Sequence, residues 1–332
     1  MQRLKGLYVL DREAFEMTYG AEEQRDIDGL VDILAPPQTG ESIRSDGYSL
    51  ADSEIIFSGW GAPLMDETFL AAAPKLRAVF YGGGSIRGFV TEAFWKRGIV
   101  LTTAATANAV PVSEYTLAAI LFGLKLGWRH AMQMKREARY PNKTKVLGCY
   151  DSIVGLVSLG LIGRLTRERL RPFDLRVAAY DPYVKPDYAR ELDVELLPLD
   201  ELFRRSDVIS LHTPLLKETE GMITGAHIAS MKQGATFINT ARGAIVRENE
   251  MIEVLKRRPD LQAVLDVTHP EPPAAGSPLY TLPNVILTPH IAGSMDAECR
   301  RMGRYMVEEL RRYVAGKPLR WQVTRETSAN RA

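Results

Sequence analysis

Three polar side chains follow the ends of apolar, strand-like segments: Arg242 in NTARG, Glu271 in DVTHPEP and His290 in LTPHIAG. A guanidinium binds a carboxylate through two parallel hydrogen bonds and polarises a neighbouring keto oxygen. An imidazolium gives a proton to such an oxygen, and a carboxylate on its other nitrogen orients the ring and favours its charged form. Together these groups suit the interconversion of a 2-keto acid and a 2-hydroxy acid.

Each of the three residues also has an ordinary structural explanation when it is taken alone. An arginine after a strand often forms a surface ion pair, and a glutamate in a proline-rich loop is usually solvated. A histidine in this position can be a hydrogen-bonding core residue. The functional interpretation needs all three at one place, and the carboxyl ends of the strands in an open α/β sheet provide it.

A second motif, SLGLIG at residues 158–163, nearly matches the dinucleotide-binding pattern G-x-G-x-x-G, with Ser158 in place of the first glycine. The apolar SIVGLV precedes it and the amphipathic LIGRLTRERL follows it, as in a βαβ unit. Gly160 would let the backbone approach a pyrophosphate, and Gly163 would let helix and strand pack closely. The pattern predicts a nucleotide site, against the alternative of a plain strand–turn–helix.

Asp181 ends the next apolar segment, LRVAAY, 18 positions beyond Gly163. An acidic residue at this place accepts a hydrogen bond from a ribose hydroxyl of NAD and repels the 2′-phosphate of NADP. The residues that follow, Pro182 and Tyr183, offer no arginine for such a phosphate, although Lys185 and Arg190 are near. The expected cofactor is therefore NAD.

These motifs lie in a chain that alternates strand-like and helix-like segments, which predicts an α/β fold with parallel sheets covered on both faces. The predicted strands are residues 7–10, 54–59, 76–81, 99–103, 152–157, 175–180, 207–211, 235–240, 261–266 and 284–288. The predicted helices include residues 66–73, 87–97, 109–127, 161–171, 198–205 and 247–257. Residues 269–284 are proline-rich and predict a loop, and the tail after Trp321 is expected to fray.

The composition bounds the class of protein. The length of 332 residues favours two domains. The net charge of +1 argues against a nucleic-acid or membrane-surface partner. Cys149 and Cys299 are too few for a disulfide framework and suit a reducing cytoplasm. The longest apolar stretch, residues 115–128, is too short for a membrane span and predicts a buried helix, and no targeting segment is predicted.

The motifs together closely resemble the D-isomer-specific 2-hydroxyacid dehydrogenases over nearly the whole chain. The resemblance rests on SLGLIG (158–163), Asp181, SDVISLHTPLLKET (206–219), FINTARGAIV (237–246), LDVTHPEP (265–272) and LPNVILTPHIAG (282–293). The separations of 29 residues from Arg242 to Glu271 and of 19 from Glu271 to His290 also resemble that family. The resemblance implies that Arg242 binds the substrate carboxylate and that His290, paired with Glu271, is the acid and base.

The resemblance also implies two doubly wound, Rossmann- or flavodoxin-like domains and a homodimer that pairs through the cofactor domain. That domain, residues 104–291, would be inserted into a discontinuous substrate domain, residues 1–103 and 292–332. Asp266 would contact the nicotinamide carboxamide, Thr213 and Pro214 the nicotinamide ribose, and Ala241 would add a backbone contact. The implied NAD-binding residues are Ser158, Leu159, Gly160, Leu161, Ile162, Gly163, Asp181, His212, Thr213, Pro214, Thr219, Thr240, Ala241, Arg242, Asp266, His290, Ala292 and Gly293.

In the first domain, YGGGSIRG (81–88) resembles the family's glycine-rich turn, whose amides, here at Gly83 and Gly84, hold the substrate carboxylate. The family usually continues with an Asp-Asn pair, where this chain has Ser85, Ile86 and Arg87. One interpretation is that Arg87 caps the next helix or pairs with a nearby glutamate, Glu92. The other is that Arg87 or Ser85 meets an extra acidic or hydroxyl group on the substrate.

Three further residues near the expected site, Asn108, Trp60 and His212, have predicted roles. Asn108 is implied to lie near the substrate, and Trp60 either contacts the substrate side as a lid or packs in the domain wall. His212, although placed beside the cofactor, is expected to act mainly as a structural hydrogen-bonding residue. No pattern predicts a metal site. The expected substrate-binding residues are Gly83, Gly84, Ser85, Asn108, Arg242 and His290.

The expected activity is the NAD-dependent interconversion of a D-2-hydroxy acid and its 2-keto acid. One alternative is an NAD(H)-sensing interaction protein on the same scaffold, like the C-terminal-binding corepressors. Another is an enzyme of the same family with a different substrate, such as formate, phosphite or 3-phosphoglycerate. The intact set of Arg242, Glu271 and His290 favours an enzyme, whose substrate selectivity is expected to lie in residues 38–62 and 83–88.

Overall fold

The computed structural model describes residues 3–45, 47–141 and 146–328. The strands are β1 (Leu4–Val9), β2 (Val31–Ile33), β3 (Ile55–Ser58), β4 (Ala78–Tyr81), β5 (Val100–Thr103), β6 (Ser152–Val157), β7 (Leu175–Tyr180), β8 (Glu195–Leu196), β9 (Val208–Leu211), β10 (Thr236–Asn239), β11 (Gln262–Leu265), β12 (Val285–Leu287) and β13 (Gln322–Val323). The helices are α1 (Arg12–Thr18), α2 (Ala21–Asp28), α3 (Ser42–Ser45), α4 (Gly47–Asp52), α5 (Glu67–Ala72), α6 (Glu92–Lys96), α7 (Ala105–Leu124), α8 (Gly127–Glu137), α9 (Leu161–Leu170), α10 (Pro186–Glu191), α11 (Leu199–Arg205), α12 (Gly225–Ser230), α13 (Glu248–Arg257), α14 (Cys299–Val314) and α15 (Arg325–Ser328). Short 3-10 helices cover Gly243–Ile245, Pro278–Tyr280 and Asp296–Glu298.

The chain divides into two compact units, the first made of Met1–Asn108 and Ser294–Ala332 and the second of Ala109–Gly293. The predicted boundaries, after residues 103 and 291, lie a few residues earlier in each case. The first boundary falls inside α7, which begins at Ala105 and not at the predicted residue 109. The helix runs through Pro111, a residue that more often stands in the first turn of a helix.

The first unit is built on one sheet with the strand order β13-β5-β4-β3-β1-β2, in which the pairs are parallel except for β13 against β5. Side chains alternate across it, so that Leu7 and Val9 of β1 lie in one core while Tyr8 lies in the other. One core is closed by residues of α5 and α6 and the other by residues of α1, α2 and α14. The sheet is therefore covered on both faces.

The C-terminal segment of the first unit is held by buried contacts. Glu309 of α14 is fully buried, and its carboxylate accepts hydrogen bonds from the N–H groups of Arg320 and Trp321 at 3.0 Å. The Trp321 ring stacks on Tyr305 with 3.9 Å between the ring centroids. The expectation that the chain frays directly after Trp321 is wrong, because residues 322–323 pair with β5 as strand β13.

The second unit is a sheet with the strand order β12-β11-β10-β9-β6-β7-β8, and its pairs are parallel. The strand order reverses between β6 and β9, and such a reversal opens a crevice at the carboxyl ends of the strands. Val154 and Leu156 of β6 lie in one core, and Ile153 and Val157 lie in the other. The predicted fold class, two doubly wound α/β domains, is confirmed.

Among the described helices, α7 is long and apolar enough to cross a membrane by length and composition alone. The core helix of a soluble protein passes the same test, and more than half of this helix is buried. Its residues Ile120 and Leu124 pack with Val154 in a core of the second unit. These contacts agree with a buried helix over residues 115–124, but the predicted extent to residue 128 is wrong, because α7 ends at Leu124 and α8 begins at Gly127.

Candidate active site

The loop between β6 and α9 carries SLGLIG and turns sharply at Ser158. Ser158 has a φ of +81°, in the left-handed region that favours glycine, and this is the first glycine position of the motif. For an L-residue such a backbone costs about 1–2 kcal/mol. The Ser158 N–H donates to the Tyr180 carbonyl at 2.8 Å, and its hydroxyl donates to Asp181 Oδ2 at 3.3 Å. The serine is thus held at the turn by the end of β7.

The two glycines of the motif have different surroundings. A Cβ at Gly163 would lie 2.2 Å from the Ser158 carbonyl oxygen, so only glycine lets α9 pack this closely on the loop. A Cβ at Gly160 would have only Ser158 Oγ within 4 Å, at 3.7 Å, so the space over Gly160 is open. The first N–H groups of α9, at Leu161 and Ile162, have no acceptor within the helix and favour an anion. This part of the loop fits a dinucleotide pyrophosphate.

Asp181 organises the same loop from the end of β7. Its Oδ2 accepts a hydrogen bond from the Leu159 N–H at 2.8 Å as well as from Ser158, and its Oδ1 accepts one from the Tyr183 N–H at 2.9 Å. A carboxylate offers about four acceptor positions, so about one remains for a ribose hydroxyl. The sequence predicted the ribose contact but not this second role, in which Asp181 fixes the shape of the turn.

His212 continues the pairing of β9 with β6, because its N–H donates to the Val157 carbonyl at 2.9 Å. Its side chain is buried, and neither ring nitrogen has a hydrogen-bond partner among the described residues. Burial lowers the pKa of His212 to about 3, so the ring is neutral at neutral pH. The expected structural hydrogen bond is therefore wrong. The His212 Cβ lies 3.8 Å from the position of a Gly163 Cβ, so the residue is next to the dinucleotide loop.

The segment after β9 is closed by threonine hydroxyls. Thr213 Oγ1 donates to the Val157 carbonyl at 3.3 Å, which ties the segment to β6. Thr219 Oγ1 donates to the Pro214 carbonyl at 2.6 Å and accepts a hydrogen bond from the Leu216 N–H at 2.8 Å. These contacts fix the backbone of residues 213–219, where the cofactor contacts of Thr213 and Pro214 are predicted.

Arg242 follows β10 in a segment shaped by Asn239, a buried residue that the sequence analysis did not select. Asn239 Oδ1 accepts a hydrogen bond from the Ala241 N–H at 3.0 Å, and its Nδ2 donates to the Arg242 carbonyl at 3.1 Å. Thr240 Oγ1 lies 3.3 Å from Thr116 Oγ1, within hydrogen-bond distance. The signal for Asn239 was an amide side chain at the end of an apolar strand, just before the predicted arginine.

Gly243 brings this segment against the loop that carries Glu271. A Cβ at Gly243 would lie 2.0 Å from the carbonyl carbon of Thr268, three residues before Glu271, so only glycine allows the approach. Arg242 itself is half-buried, and its Nη1 donates to the Ala241 carbonyl at 2.6 Å. Arg242, Glu271 and His290 follow the neighbouring strands β10, β11 and β12, as the sequence predicted.

His290 and Glu271 meet directly. His290 Nδ1 lies 2.5 Å from Glu271 Oε1, and both side chains are a little under half exposed. The other ring nitrogen of His290, Nε2, has no hydrogen-bond partner among the described residues. His290 has a φ of +56°, a left-handed backbone that is uncommon for a residue other than glycine. The pair leaves one imidazole nitrogen available for proton transfer.

Asp266 holds the segment that carries His290. Its Oδ1 accepts hydrogen bonds from Thr288 Oγ1 at 2.6 Å and the Ile291 N–H at 2.9 Å, and its Oδ2 accepts one from the Ala292 N–H at 2.9 Å. Its carbonyl accepts the His290 N–H at 3.0 Å. The carboxylate is buried and positions residues 288–292, a role the sequence analysis missed. Its predicted nicotinamide contact stays a prediction.

Tyr115 extends this network, since its hydroxyl lies 2.8 Å from Thr288 Oγ1. Burial raises the pKa of Tyr115, and the nearby Asp266 adds to that rise. The hydroxyl therefore stays protonated and can donate to the Thr288 oxygen, which in turn donates to Asp266. The chain Tyr115–Thr288–Asp266 stabilises the backbone of His290 from one side.

The predicted substrate residues of the first unit form a second group. The Ala104 N–H donates to the carbonyls of Tyr81 and Gly83, both at 3.0 Å. A Cβ at Gly84 would lie 3.6 Å from Asn108 Nδ2, and Asn108 Oδ1 accepts the Ser294 N–H at 2.7 Å. Within the described ranges the N–H groups of Gly83 and Gly84 donate to no protein acceptor. They are thus available to bind an anion.

The structure shows the surroundings of Ile86, Arg87 and Trp60 in the first unit. Ile86 is buried in the core, and Arg87 is exposed. Glu92 forms a salt bridge with Arg325 at 2.8 Å, and both interpretations of Arg87 stay predictions. Trp60 is partly buried against a core cluster and its carbonyl accepts the Asp11 N–H at 2.9 Å, which favours the domain-wall interpretation.

Comparisons with known proteins bear on this arrangement. Residues 118–292 match the family model described as D-isomer specific 2-hydroxyacid dehydrogenase, NAD binding domain. A glyoxylate reductase of Korarchaeum cryptofilum is 32% identical over 271 residues, which cover 80% of this chain and 81% of that protein. A D-3-phosphoglycerate dehydrogenase of Mycobacterium tuberculosis is 34% identical over 267 residues, 80% of this chain and 50% of that protein. The chain thus spans about half the length of the phosphoglycerate dehydrogenases it matches.

The solved structure of D-mandelate dehydrogenase from Rhodotorula graminis shares the fold, with a TM-score of 0.81, 22% identity and coverage of 97% of this chain and 98% of that one. The chain belongs to the D-isomer specific 2-hydroxyacid dehydrogenase family. Residues 118–292 are its NAD-binding domain, and its cofactor is NAD. The family and the cofactor predicted from the sequence are confirmed.

Proposed function

We propose that the protein interconverts a D-2-hydroxy acid and its 2-keto acid, with NAD as the hydride carrier. The observation that carries the proposal is the distance of 2.5 Å between His290 Nδ1 and Glu271 Oε1 in the NAD-binding unit. This contact orients the imidazole and leaves Nε2 for the substrate. The neighbouring Arg242, at the end of the adjacent strand β10, supplies a cation for a carboxylate.

Each of these residues has a separate role in the proposed reaction. Bound NADH supplies the hydride that reduces the keto carbon. His290 holds a proton at Nε2 and gives it to the keto oxygen as negative charge develops there. Glu271 accepts the hydrogen bond from Nδ1 and stabilises the imidazolium, and Arg242 fixes the substrate carboxylate through a bidentate contact. In the reverse direction neutral His290 accepts the hydroxyl proton.

The same geometry supports NAD over NADP. Asp181 places a negative charge at the end of β7, where the adenine ribose is expected, and a 2′-phosphate there would be repelled. Arg190, one of the cations close in sequence, forms a salt bridge with Asp187. We propose that NADH is the preferred reductant. We also propose that the N–H groups of Gly83 and Gly84, which donate to no acceptor in the described ranges, bind an anion.

The test is NADH oxidation with glyoxylate, hydroxypyruvate, pyruvate and bulkier 2-keto acids, in wild type and variants. We expect His290→Ala to lower kcat by about 10²–10⁴-fold, the usual contribution of a general acid, with the Kd for NADH unchanged. His269→Ala is the matched control, because His269 is an exposed histidine of the same loop region with no assigned role. A protein that binds NADH but turns over no keto acid would favour the NAD(H)-sensing alternative.

We also propose that the second unit pairs with a second copy of the chain. None of the residues of α8 is buried. Phe122, Met132 and Met134 are exposed by 44%, 38% and 38% of their surfaces, and Leu147 by 50%. Large apolar side chains gathered on one stretch of sequence are typical of an interface. This supports the homodimer that the family resemblance implies.

A further inference from the structure

The first unit has an open cavity that shares no residue with the site described above. It has a volume of about 510 Å³ and lies at the edge of the sheet where β1 and β2 pair. Its walls come from β1, α1, α2, β2 and residues 34–37 after β2. Small-molecule sites commonly have volumes of about 300–1,000 Å³, so the cavity is large enough for one small ligand.

The wall formed by the segment after β2 is pinned to β1 by backbone hydrogen bonds. The Leu34 N–H donates to the Gly6 carbonyl at 3.0 Å, and the Gln38 N–H donates to the Tyr8 carbonyl at 2.9 Å. Between these two anchors the segment contains Pro36 and Pro37, whose φ angles are fixed by their rings. The cavity is therefore preformed, and a ligand would not have to order this wall.

Most of the lining is apolar, and it is contributed by Phe15, Ile33, Leu34, Pro36 and Pro37. The polar side chains of the lining are those of Tyr8, Gln24 and Asp28, and each carries an acceptor oxygen. Gln24 Nε2 already donates to the Tyr19 carbonyl at 2.6 Å, which leaves its Oε1 for a ligand. The carboxylate of Asp28 is exposed and forms no salt bridge with any cation of the described ranges, while Arg3, which bonds the Asp28 carbonyl, pairs with Asp32 at 3.2 Å.

Tyr8 supplies the second observation that points to a ligand. The residue is only 3% exposed, and its hydroxyl has no hydrogen-bond partner within the described part of the chain. A buried hydroxyl without a partner costs free energy, and such groups are rare in folded proteins. Burial and the nearby Asp28 carboxylate raise the pKa of Tyr8, so the hydroxyl is protonated and its oxygen is free to accept.

We propose that this cavity binds a small amphipathic cation, a primary ammonium group carried on an aromatic or branched aliphatic body. The body fills the apolar wall between Phe15 and the proline segment. The ammonium group donates to the Asp28 carboxylate, the Gln24 carbonyl oxygen and the Tyr8 hydroxyl oxygen. Three acceptors match the three N–H donors of an ammonium group.

The test is calorimetric titration of the full chain with three probes of similar size: 2-phenylethylammonium, 2-phenylethanol and 3-phenylpropionate. NAD and keto acids are left out, so the result does not depend on the proposed activity. We expect the ammonium probe to bind, with the carboxylate probe at least about tenfold weaker. Asp28→Asn should lower the affinity for the ammonium probe about three- to fivefold, the effect expected of an exposed charge pair, and should leave the affinity for the alcohol unchanged.

Two variants separate this site from non-specific charge effects. Glu13→Gln removes an exposed carboxylate of α1 that does not line the cavity, and it should leave all three affinities unchanged. Tyr8→Phe should keep or raise the Tm, since it removes an orphaned hydroxyl, yet weaken the ammonium probe. The proposal is overturned if the ammonium probe does not bind at about 10 mM, if it binds no better than the carboxylate, or if Asp28→Asn leaves its affinity unchanged.

Discussion

Separate replacement of Gly160 and Gly163 by alanine distinguishes the part of the loop that shapes the fold from the part that meets the cofactor. In Gly163→Ala the new Cβ would lie 2.2 Å from the Ser158 carbonyl oxygen, where ordinary contact begins near 3.4 Å. Because that neighbour is backbone, α9 or the turn must move by about 1 Å. Such overpacking costs about 3 kcal/mol, and for a unit of this size we expect a Tm lower by about 6–12 °C.

Gly160→Ala has the opposite expectation. Gly160 has a φ of −64° and a ψ of −163°, extended backbone that any residue adopts, and its Cβ would meet only Ser158 Oγ at 3.7 Å. Alanine is less favourable than glycine before a helix by up to about 1 kcal/mol, and the reduced freedom of the unfolded chain offsets about as much. The Tm should stay near that of wild type. The methyl group fills the space for the pyrophosphate and should weaken the binding of NADH about tenfold or more.

The assay combines thermal unfolding by circular dichroism with a fluorescence titration of NADH on the same protein samples. NADH should raise the Tm of the wild-type protein by mass action and raise that of Gly160→Ala much less at the same concentration. A Gly163→Ala variant as stable as wild type would contradict the packing argument. A Gly160→Ala variant with wild-type NADH affinity would refute the assignment of this loop to the pyrophosphate.

Three further predictions concern His212, Asp266 and Met132. Because burial lowers the pKa of His212 to about 3, the unfolded chain binds a proton below pH 6.5 that the native one does not, so the free energy of unfolding falls by about 2 kcal/mol at pH 5. Urea denaturation of wild type and His212→Gln between pH 5 and 8 checks this, and equal pH slopes would contradict it. Asp266→Asn should lower the free energy of unfolding by about 2–3 kcal/mol, and it should lower kcat by a larger factor than it lowers the affinity for NADH. An unchanged free energy of unfolding would show that other contacts hold residues 288–292. Met132→Asp should convert a dimer into monomers in light scattering, and a monomeric wild-type protein would exclude the proposed pairing.

Most of the sheet strands were predictable because parallel strands are buried on both faces and read as continuous apolar runs. The strands that were missed have two or three residues each: β2, β8 and β13. They lie at the edges of the two sheets, where pairing depends on which neighbour the chain returns to. A run of two or three residues carries no detectable period, so local pattern could not reveal them.

In the site, too, short motifs indicated some contacts, and others depend on how distant segments pack. The types and spacing of Glu271 and His290 indicated the contact that the structure shows at 2.5 Å. The ties made by Asp266 to residues 288–292 depend on the register of β11 against β12, which no short motif encodes. The orphaned imidazole of His212 likewise results from burial by elements distant in sequence. Motifs predicted which groups meet, and tertiary packing decided how they are held.

The division of the first unit into two chain segments has a consequence for biosynthesis. Its core joins Tyr8, Phe57 and Phe80 of the N-terminal strands to Met306 and Leu310 of α14, and the whole of Ala109–Gly293 is translated in between. While a ribosome is making that stretch, this face of the early strands is covered by α1 and α2 but still lacks α14. The NAD-binding unit has all of its own residues first, so the order of translation lets the inserted unit fold before the unit that flanks it.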